Sequence, residues 1–195
     1  MEDLRQLLRH LGLARAAVGG LSMGANIALT FALAHPAMVT ALVVADVGAG
    51  SDDASAWRAT TRAWAAAAER GGMETFADLL CANPLIAHYA GRDAAALRTM
   101  RACLMTHRAC GVAHTAREVL AKRPSVYALA PRLRQLGVPT LLVVGEDDAP
   151  CRDVHRFLAA TIPGAESVVL AGVGHLTNLE APVAFNAAVR RVLAR

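Results

Sequence analysis

The sequence lacks the features of a nucleic-acid-binding protein. Its 195 residues carry a net charge of only +4, and Lys122 is the single lysine. The arginines are scattered along the chain without a run of five basic residues, and aromatic residues make up only 4% of the composition. Because nucleic-acid interfaces need clustered positive charge, often beside aromatic side chains, we expect no nucleic-acid partner.

Long apolar segments and paired cysteines are also missing. The longest apolar stretch, 27–34, contains Thr30 and is too short to cross a bilayer, so we expect no membrane interaction. The opening residues, MEDLRQLLRHLGL, are charged and lack the apolar segment of a signal peptide. None of the four cysteines forms a CxxC pair, which favours free thiols in a reducing compartment. We therefore predict a cytoplasmic location.

One group of cysteines and histidines has a spacing that suggests a metal site. Cys103, His107, Cys110 and His114 recur at helical intervals, and thiol and imidazole groups so placed can bind zinc. Four ligands along one face of a helix cannot surround a tetrahedral ion, however, and Gly111 is expected to break the helix. We therefore predict no metal site, and no other cofactor is implied.

What the sequence does contain is an alternation of predicted helices and strands. DLRQLLRHLGL has leucines at helical spacing, and RAAVGG is a short apolar segment that ends in glycines. SMGANIALTFALAHP has a helical period again and stops at a proline, whereas VTALVVADVG is β-branched and apolar. Helix, strand, helix and strand in this order are typical of an α/β protein with a parallel sheet.

The middle of the chain loses this alternation. From Ser51 to about Arg134 no strand pattern occurs, and helical segments follow one another with glycines and prolines between them. The α/β pattern then returns with VPTLLVVGEDD and AESVVLAGVGH, which we predict as the third and fourth strands. The length suits one domain with an inserted lobe. We therefore predict a core of residues 1–50 and 135–195 and a helical insertion at 51–134.

The motif GLSMG, 20–24, stands where the first predicted strand meets the second helix. In a G-x-S-x-G turn a sharp bend exposes the hydroxyl, here that of Ser22, above the sheet, and the following helix directs N–H groups at a developing oxyanion. Two rival glycine-rich motifs fit less well. A phosphate-binding loop needs a lysine where Ala25 stands, and a dinucleotide-binding turn needs a glycine in place of Leu21. A plain structural turn is the third alternative.

Candidate partners for Ser22 follow the third and fourth predicted strands. A serine hydroxyl is a weak nucleophile near neutral pH and needs a base, usually a histidine that a carboxylate orients. Asp147 and Asp148 follow LLVVG, and His175 follows SVVLAGVG. Active groups of open α/β sheets lie just past the carboxyl ends of the strands, and the chain order here is Ser, Asp, His.

These segments together resemble a known family. GLSMGANIALTFALAHP, VVGEDDAPC and GVGHLTNLEAPVAFNAAVRRVL are similar to the α/β-hydrolase superfamily, in its branch with a helical cap, over essentially the whole chain. The resemblance implies that Ser22 is the nucleophile and His175 the base. Its G-x-x-D pattern selects Asp148 over Asp147 as the acid. Met23 would donate one backbone N–H to the oxyanion hole.

The acid nevertheless has two alternatives. Asp147 adjoins Asp148, and some members of the superfamily carry the acid after the earlier strand, where Asp46 stands in this sequence.

The resemblance also implies parts of the fold that the sequence does not show. α/β-Hydrolases normally have several strands before the nucleophile strand, and a loop there, commonly with a His-Gly motif, gives the second oxyanion N–H. Nothing before Ser22 matches that pattern. We therefore expect a partial fold, with a mostly parallel sheet of about four strands, flanking helices and an inserted helical cap. The strand before Ser22 would be an exposed edge, open to pairing with another strand or to homo-oligomer formation.

The function that the resemblance implies is hydrolysis of a small carboxylic ester or lactone through an acyl-enzyme, or a related cleavage of a C–C bond. The expected partner is a small-molecule substrate. The alternative is a truncated or partner-dependent hydrolase-fold protein with little or no activity as an isolated chain. Loss of one oxyanion donor costs on the order of 100- to 1000-fold in rate, which is the reason for that alternative.

Overall fold

The computed structural model, which describes residues 1–194, contains one parallel sheet of four strands. The strands lie in the order β1-β2-β3-β4, and each pairs in parallel with the next. Their bounds are Ala16–Leu21, Val39–Ala45, Thr140–Gly145 and Glu166–Leu170. The predicted α/β class with a parallel sheet of this size is confirmed.

Ten α-helices accompany the sheet in the described part of the chain. They are α1 Glu2–His10, α2 Met23–Ala34, α3 Ala54–Cys81, α4 Pro84–Ala90, α5 Ala94–Met105, α6 Ala109–His114, α7 Ala130–Leu133, α8 Ala149–Thr161, α9 Thr177–Glu180 and α10 Pro182–Leu193. A π-helical segment, Thr115–Leu120, continues α6, and short 3₁₀ segments lie at Pro36–Met38 and Val126–Leu129. None of the helices within residues 1–194 has the length and apolar character needed to span a bilayer.

The two central strands are buried on both faces. Side chains such as Leu42 of β2 and Leu142 of β3 pack in one cluster with residues of α1, α2 and α8. Their sequence neighbours, Val43 and Leu141, pack in another cluster with α10. Because successive side chains of a strand point to opposite faces, a strand covered on both sides must be apolar throughout. This requirement explains the continuous apolar runs by which the sequence marked these strands.

The outer edges of the sheet differ in charge. At β4, Glu166 forms an ion pair with Arg191 of α10, with 2.9 Å between nitrogen and oxygen. β1 has no charged residue, pairs with β2 alone within the described residues, and lies beside a largely apolar groove of about 340 Å³ that it forms with α10. β1 is thus the exposed edge expected from the sequence. Its pairing with a further strand or a second copy stays a prediction.

The chain divides into two compact units. The first consists of Met1–Gly48 and Val126–Arg195 and contains the sheet, and the second is Ala49–Ser125. The sequence predicts that the helical insertion ends at residue 134, but Val126 and Leu133 are fully buried in the hydrophobic core of the first unit. Residues 126–134 therefore belong to the first unit.

The second unit contains helices and no strand within the described residues. Its long helix α3 is kinked at Gly72, where φ is 71°. Trp57 and Trp64, two turns apart on α3, meet edge to face with 5.5 Å between ring centroids. The Trp57 indole N–H donates to the Leu120 carbonyl at 2.9 Å, which ties α3 to the end of the π-helical segment. These contacts explain the two tryptophans of the sequence as packing residues of this unit.

Candidate active site

Ser22 occupies a strained turn between β1 and α2. Its φ is 54° and its ψ is −112°, in a region that costs a non-glycine residue about 1–3 kcal/mol. The backbone holds it there from both sides, because Ser22 N–H donates to the Ala45 carbonyl at 2.9 Å and the Ser22 carbonyl accepts from Asn26 N–H at 3.0 Å. Strain that the surrounding structure maintains in this way is typical of a functional residue.

The glycines of the motif have different roles. A Cβ at Gly20 would lie 2.2 Å from the backbone carbon of Gly24, so no side chain fits at Gly20. A Cβ at Gly24 would meet nothing within 4 Å. The tight turn therefore requires Gly20 because of close backbone contact, whereas position 24 has open space.

Asp148 and His175 lie together at the carboxyl edge of the sheet. His175 Nδ1 and Asp148 Oδ2 are 2.8 Å apart, and the two side chains are 3% and 1% exposed. A carboxylate at Nδ1 favours the tautomer with a proton on that nitrogen, which leaves Nε2 to exchange a proton. The other Asp148 oxygen, Oδ1, is buried and accepts no hydrogen bond within residues 1–194.

The segment between β4 and α9 reaches Asp148 by crossing over the end of β3. A Cβ at Gly145 would lie 2.1 Å from the Gly174 carbonyl oxygen, so the crossing needs a residue without a side chain. Asp147 N–H donates to the Val173 carbonyl at 2.8 Å and fixes the crossing point. This path brings His175 next to Asp148, which follows the neighbouring strand.

Ser22 is at the same edge of the sheet but is not joined to His175. Within residues 1–194 no hydrogen bond links the Ser22 hydroxyl to the His175 ring. In ligand-free sites such bonds are often long and form only in the complex with substrate. Met23 is the first residue of α2, so its N–H has no acceptor within the helix and is available to an oxyanion.

The three candidate acids have different surroundings. Only Asp148 bonds His175 Nδ1, and Asp147 is exposed. Asp46 is buried, with a positive φ of 50°, and its carboxylate accepts from Gly145 N–H at 3.0 Å and from the Thr177 hydroxyl at 2.5 Å. Asp46 therefore ties the segment after His175 to the end of β3.

Burial raises the pKa of Asp46 from its usual 3.8 to about 7, and the nearby negative charge of Asp148 acts in the same direction. The hydrogen bonds from Thr177 and Gly145 and the neighbouring His175 oppose this shift without cancelling it. The folded protein thus binds the Asp46 proton more tightly than the unfolded chain does.

This shift predicts how stability depends on pH. The protonated Asp46 side chain contributes to the free energy of unfolding fully below about pH 4, and this contribution is lost as the pH rises towards 7 and the side chain ionises. The effect is on the order of 4 kcal/mol. Asparagine does not titrate, its amide oxygen can accept from Gly145 N–H, and its NH₂ group can donate to the Thr177 hydroxyl oxygen. We therefore expect Asp46→Asn to gain stability relative to wild type between pH 5 and pH 8, measured as the free energy of unfolding in urea. Parallel pH profiles for the two proteins would contradict the raised pKa.

Cys151 is a neighbour of His175 that sequence reasoning missed. Its Sγ lies 3.8 Å from His175 Nδ1 and donates to the Asp46 carbonyl at 3.4 Å. Asp148, Cys151 and His175 are the one group of three potential metal ligands within 4.8 Å of one another in residues 1–194. His175 Nδ1 and Asp148 Oδ2 are hydrogen-bonded to each other, and Cys151 Sγ donates to the Asp46 carbonyl, so hydrogen bonding accounts for this cluster.

Comparison with known proteins gives one family and many similar folds. The model of a family described as alpha/beta hydrolase fold matches residues 1–182. No curated protein sequence matches the chain.

Among solved structures, MenH from S. aureus is 21% identical, with a TM-score of 0.88 over 99% of this chain and 73% of that chain. A thermophilic esterase from Thermogutta terrifontis is 29% identical, with a TM-score of 0.85 over 98% of this chain and 70% of that chain. The enol-lactonase from Burkholderia xenovorans is 25% identical, with a TM-score of 0.80 over 99% of this chain and 71% of that chain.

Proposed function

The chain belongs to the α/β-hydrolase family, and from this we propose that it is a serine hydrolase that acts on a small carboxylic ester or lactone. The observation that carries the proposal is the buried hydrogen bond of 2.8 Å between His175 Nδ1 and Asp148, on the sheet edge where Ser22 stands in its strained turn. A base with an orienting carboxylate, at the sheet edge that carries a serine hydroxyl, is the arrangement that nucleophilic serine chemistry needs.

In the proposed reaction the Ser22 hydroxyl attacks the substrate carbonyl carbon while its proton passes to His175 Nε2. Asp148 stabilises the imidazolium that forms, and Met23 N–H donates to the oxyanion of the tetrahedral intermediate. Collapse of the intermediate breaks the ester C–O bond, and the leaving oxygen takes the proton from Nε2. Water, deprotonated by His175, then attacks the acyl-enzyme and releases the acid and free Ser22.

The substrate class rests on similarity to two solved structures. The proteins described as a thermophilic esterase and an enol-lactonase are 29% and 25% identical to this chain. Both names refer to cleavage of an oxygen ester, open or cyclic. The same nucleophile and base can catalyse either reaction. Cleavage of a C–C bond next to a carbonyl would use the same groups and is the related reaction to include in a test.

The proposal is tested by covalent labelling and by turnover. We expect the folded protein to react with a fluorophosphonate probe and to hydrolyse p-nitrophenyl acetate or butyrate, and a panel of small lactones would then define the preference. A folded protein that neither reacts nor turns over these esters would contradict the proposal. That result would favour the alternative, a hydrolase-fold protein that needs a partner to become active.

A further inference from the structure

The chain segment that carries His175 is held by a second buried carboxylate. Glu180, the last residue of α9, is 8% exposed. Its Oε2 accepts a hydrogen bond from Gly174 N–H at 3.1 Å, and its Oε1 accepts one from Leu176 N–H at 3.2 Å. These two amides are the immediate neighbours of His175 on either side. One carboxylate therefore fixes the backbone both before and after the histidine.

The bonds that tie this segment to the residues after β2 and β3 act farther from His175. Asp147 N–H donates to the Val173 carbonyl, and the Thr177 hydroxyl donates to Asp46. Val173 and Thr177 each lie two residues from His175. Glu180 differs from them in bonding the adjacent positions on both sides. Buried backbone N–H groups need an acceptor, and at Gly174 and Leu176 the Glu180 side chain supplies it.

We propose that Glu180 is a positioning residue for His175, a role that rests on the proposed hydrolase function. Glu180 sets where the backbone of residue 175 lies, and that position decides whether Nδ1 meets Asp148 and where Nε2 points. A misplacement of about 1 Å in a catalytic group can cost on the order of 100-fold in rate. The role of Glu180 is therefore expected to appear in kcat rather than in substrate binding.

Glu180→Gln tests the proposal with little change in size. A glutamine has one acceptor oxygen, and its NH₂ group would face the second backbone N–H, so one of the two hydrogen bonds is lost. We expect kcat for p-nitrophenyl acetate to fall about 10- to 100-fold, with KM within about twofold of wild type. The rate of fluorophosphonate labelling should fall by the same factor.

Glu146→Gln is the matched control. The Glu146 carboxylate also accepts from a backbone N–H of the same segment, that of Gly172 at 3.0 Å, but three residues before His175. The same substitution there should leave kcat within about twofold of wild type. Equal losses in the two variants would overturn a specific role for Glu180.

A spectroscopic measurement separates this proposal from the proposed function. In protein labelled with ¹⁵N-histidine, the Nδ1 proton of His175, shared with Asp148, is expected as a downfield resonance in wild type and in Glu146→Gln, and as a broadened or missing one in Glu180→Gln. This readout needs no turnover, so it remains informative even if wild type proves inactive. An unchanged resonance and unchanged kcat in folded Glu180→Gln would overturn the proposal. If Glu180→Gln and Glu180→Asp both fail to fold, Glu180 is a folding residue and the proposal is wrong.

Discussion

Ser22→Ala is expected to abolish fluorophosphonate labelling and to lower kcat/KM for p-nitrophenyl esters by at least about 10⁴-fold. The substitution removes the one atom proposed to form a covalent bond with the substrate, and a neighbouring water cannot replace a nucleophile held in the strained turn. The fold should persist, because the Ser22 backbone bonds to Ala45 and Asn26 do not involve the side chain. Circular dichroism and the melting temperature check that point.

The matched control for this variant is Ser55→Ala. Ser55 is exposed in the first turn of α3, and its backbone N–H, rather than its hydroxyl, bonds the Asp53 carboxylate at 2.9 Å. The substitution removes the same atom as in Ser22→Ala, but from a serine outside the proposed site. Labelling and turnover of Ser55→Ala should equal those of wild type. Labelling that persists in Ser22→Ala would show that the probe reacts elsewhere and would remove the basis of the proposed mechanism.

Asp148→Asn has the second largest expected effect, a fall in kcat on the order of 10⁴-fold. The buried Asp148 carboxylate favours the tautomer with a proton on Nδ1 and stabilises the imidazolium during attack. An asparagine has no charge and can donate to Nδ1, which would place the proton on Nε2 and remove the base. Steady-state kinetics on p-nitrophenyl acetate measure the loss.

Asp147→Asn is the control that decides between the adjacent carboxylates. Asp147 is exposed and its backbone N–H, rather than its carboxylate, makes the bond to Val173, so its variant should keep activity within about twofold. Asp46→Asn completes the comparison, because Asp46 was the third candidate acid. A larger loss at Asp46 than at Asp148 would reassign the acid to the earlier strand.

The sheet and the site segments could be predicted from the sequence because each leaves a local signal. Strands buried on both faces need continuous apolar runs, and β2 and β3 appear as such runs. The turn at Ser22 needs Gly20 for contact reasons, and that requirement is visible as a motif. Local constraints of this kind appear in the order of the residues.

The contacts around His175 could not be predicted in the same way. Thr177 and Asp46 are 131 positions apart in the chain, and nothing near either residue indicates the other. α9 has only four residues, too few for an apolar period, so Glu180 gave no sign of its two bonds.

The end of the helical insertion was misplaced for a related reason. Residues 126–134 have the short helical character of the insertion before them, and periodicity cannot tell which of two cores a helix joins. In the structure Val126 and Leu133 are each 0% exposed within the first unit. The boundary follows from packing partners, which are a property of the whole fold.

The unequal surroundings of the two motif glycines affect how relatives of this protein should be sought. Gly20 cannot carry a side chain because the backbone of residue 24 stands against it, but a methyl group at residue 24 would meet no neighbour. A search pattern that demands glycine at both positions is therefore stricter than the turn itself. Homologous turns with alanine at the second position would satisfy the same geometry, and a pattern relaxed at that one place should recover them.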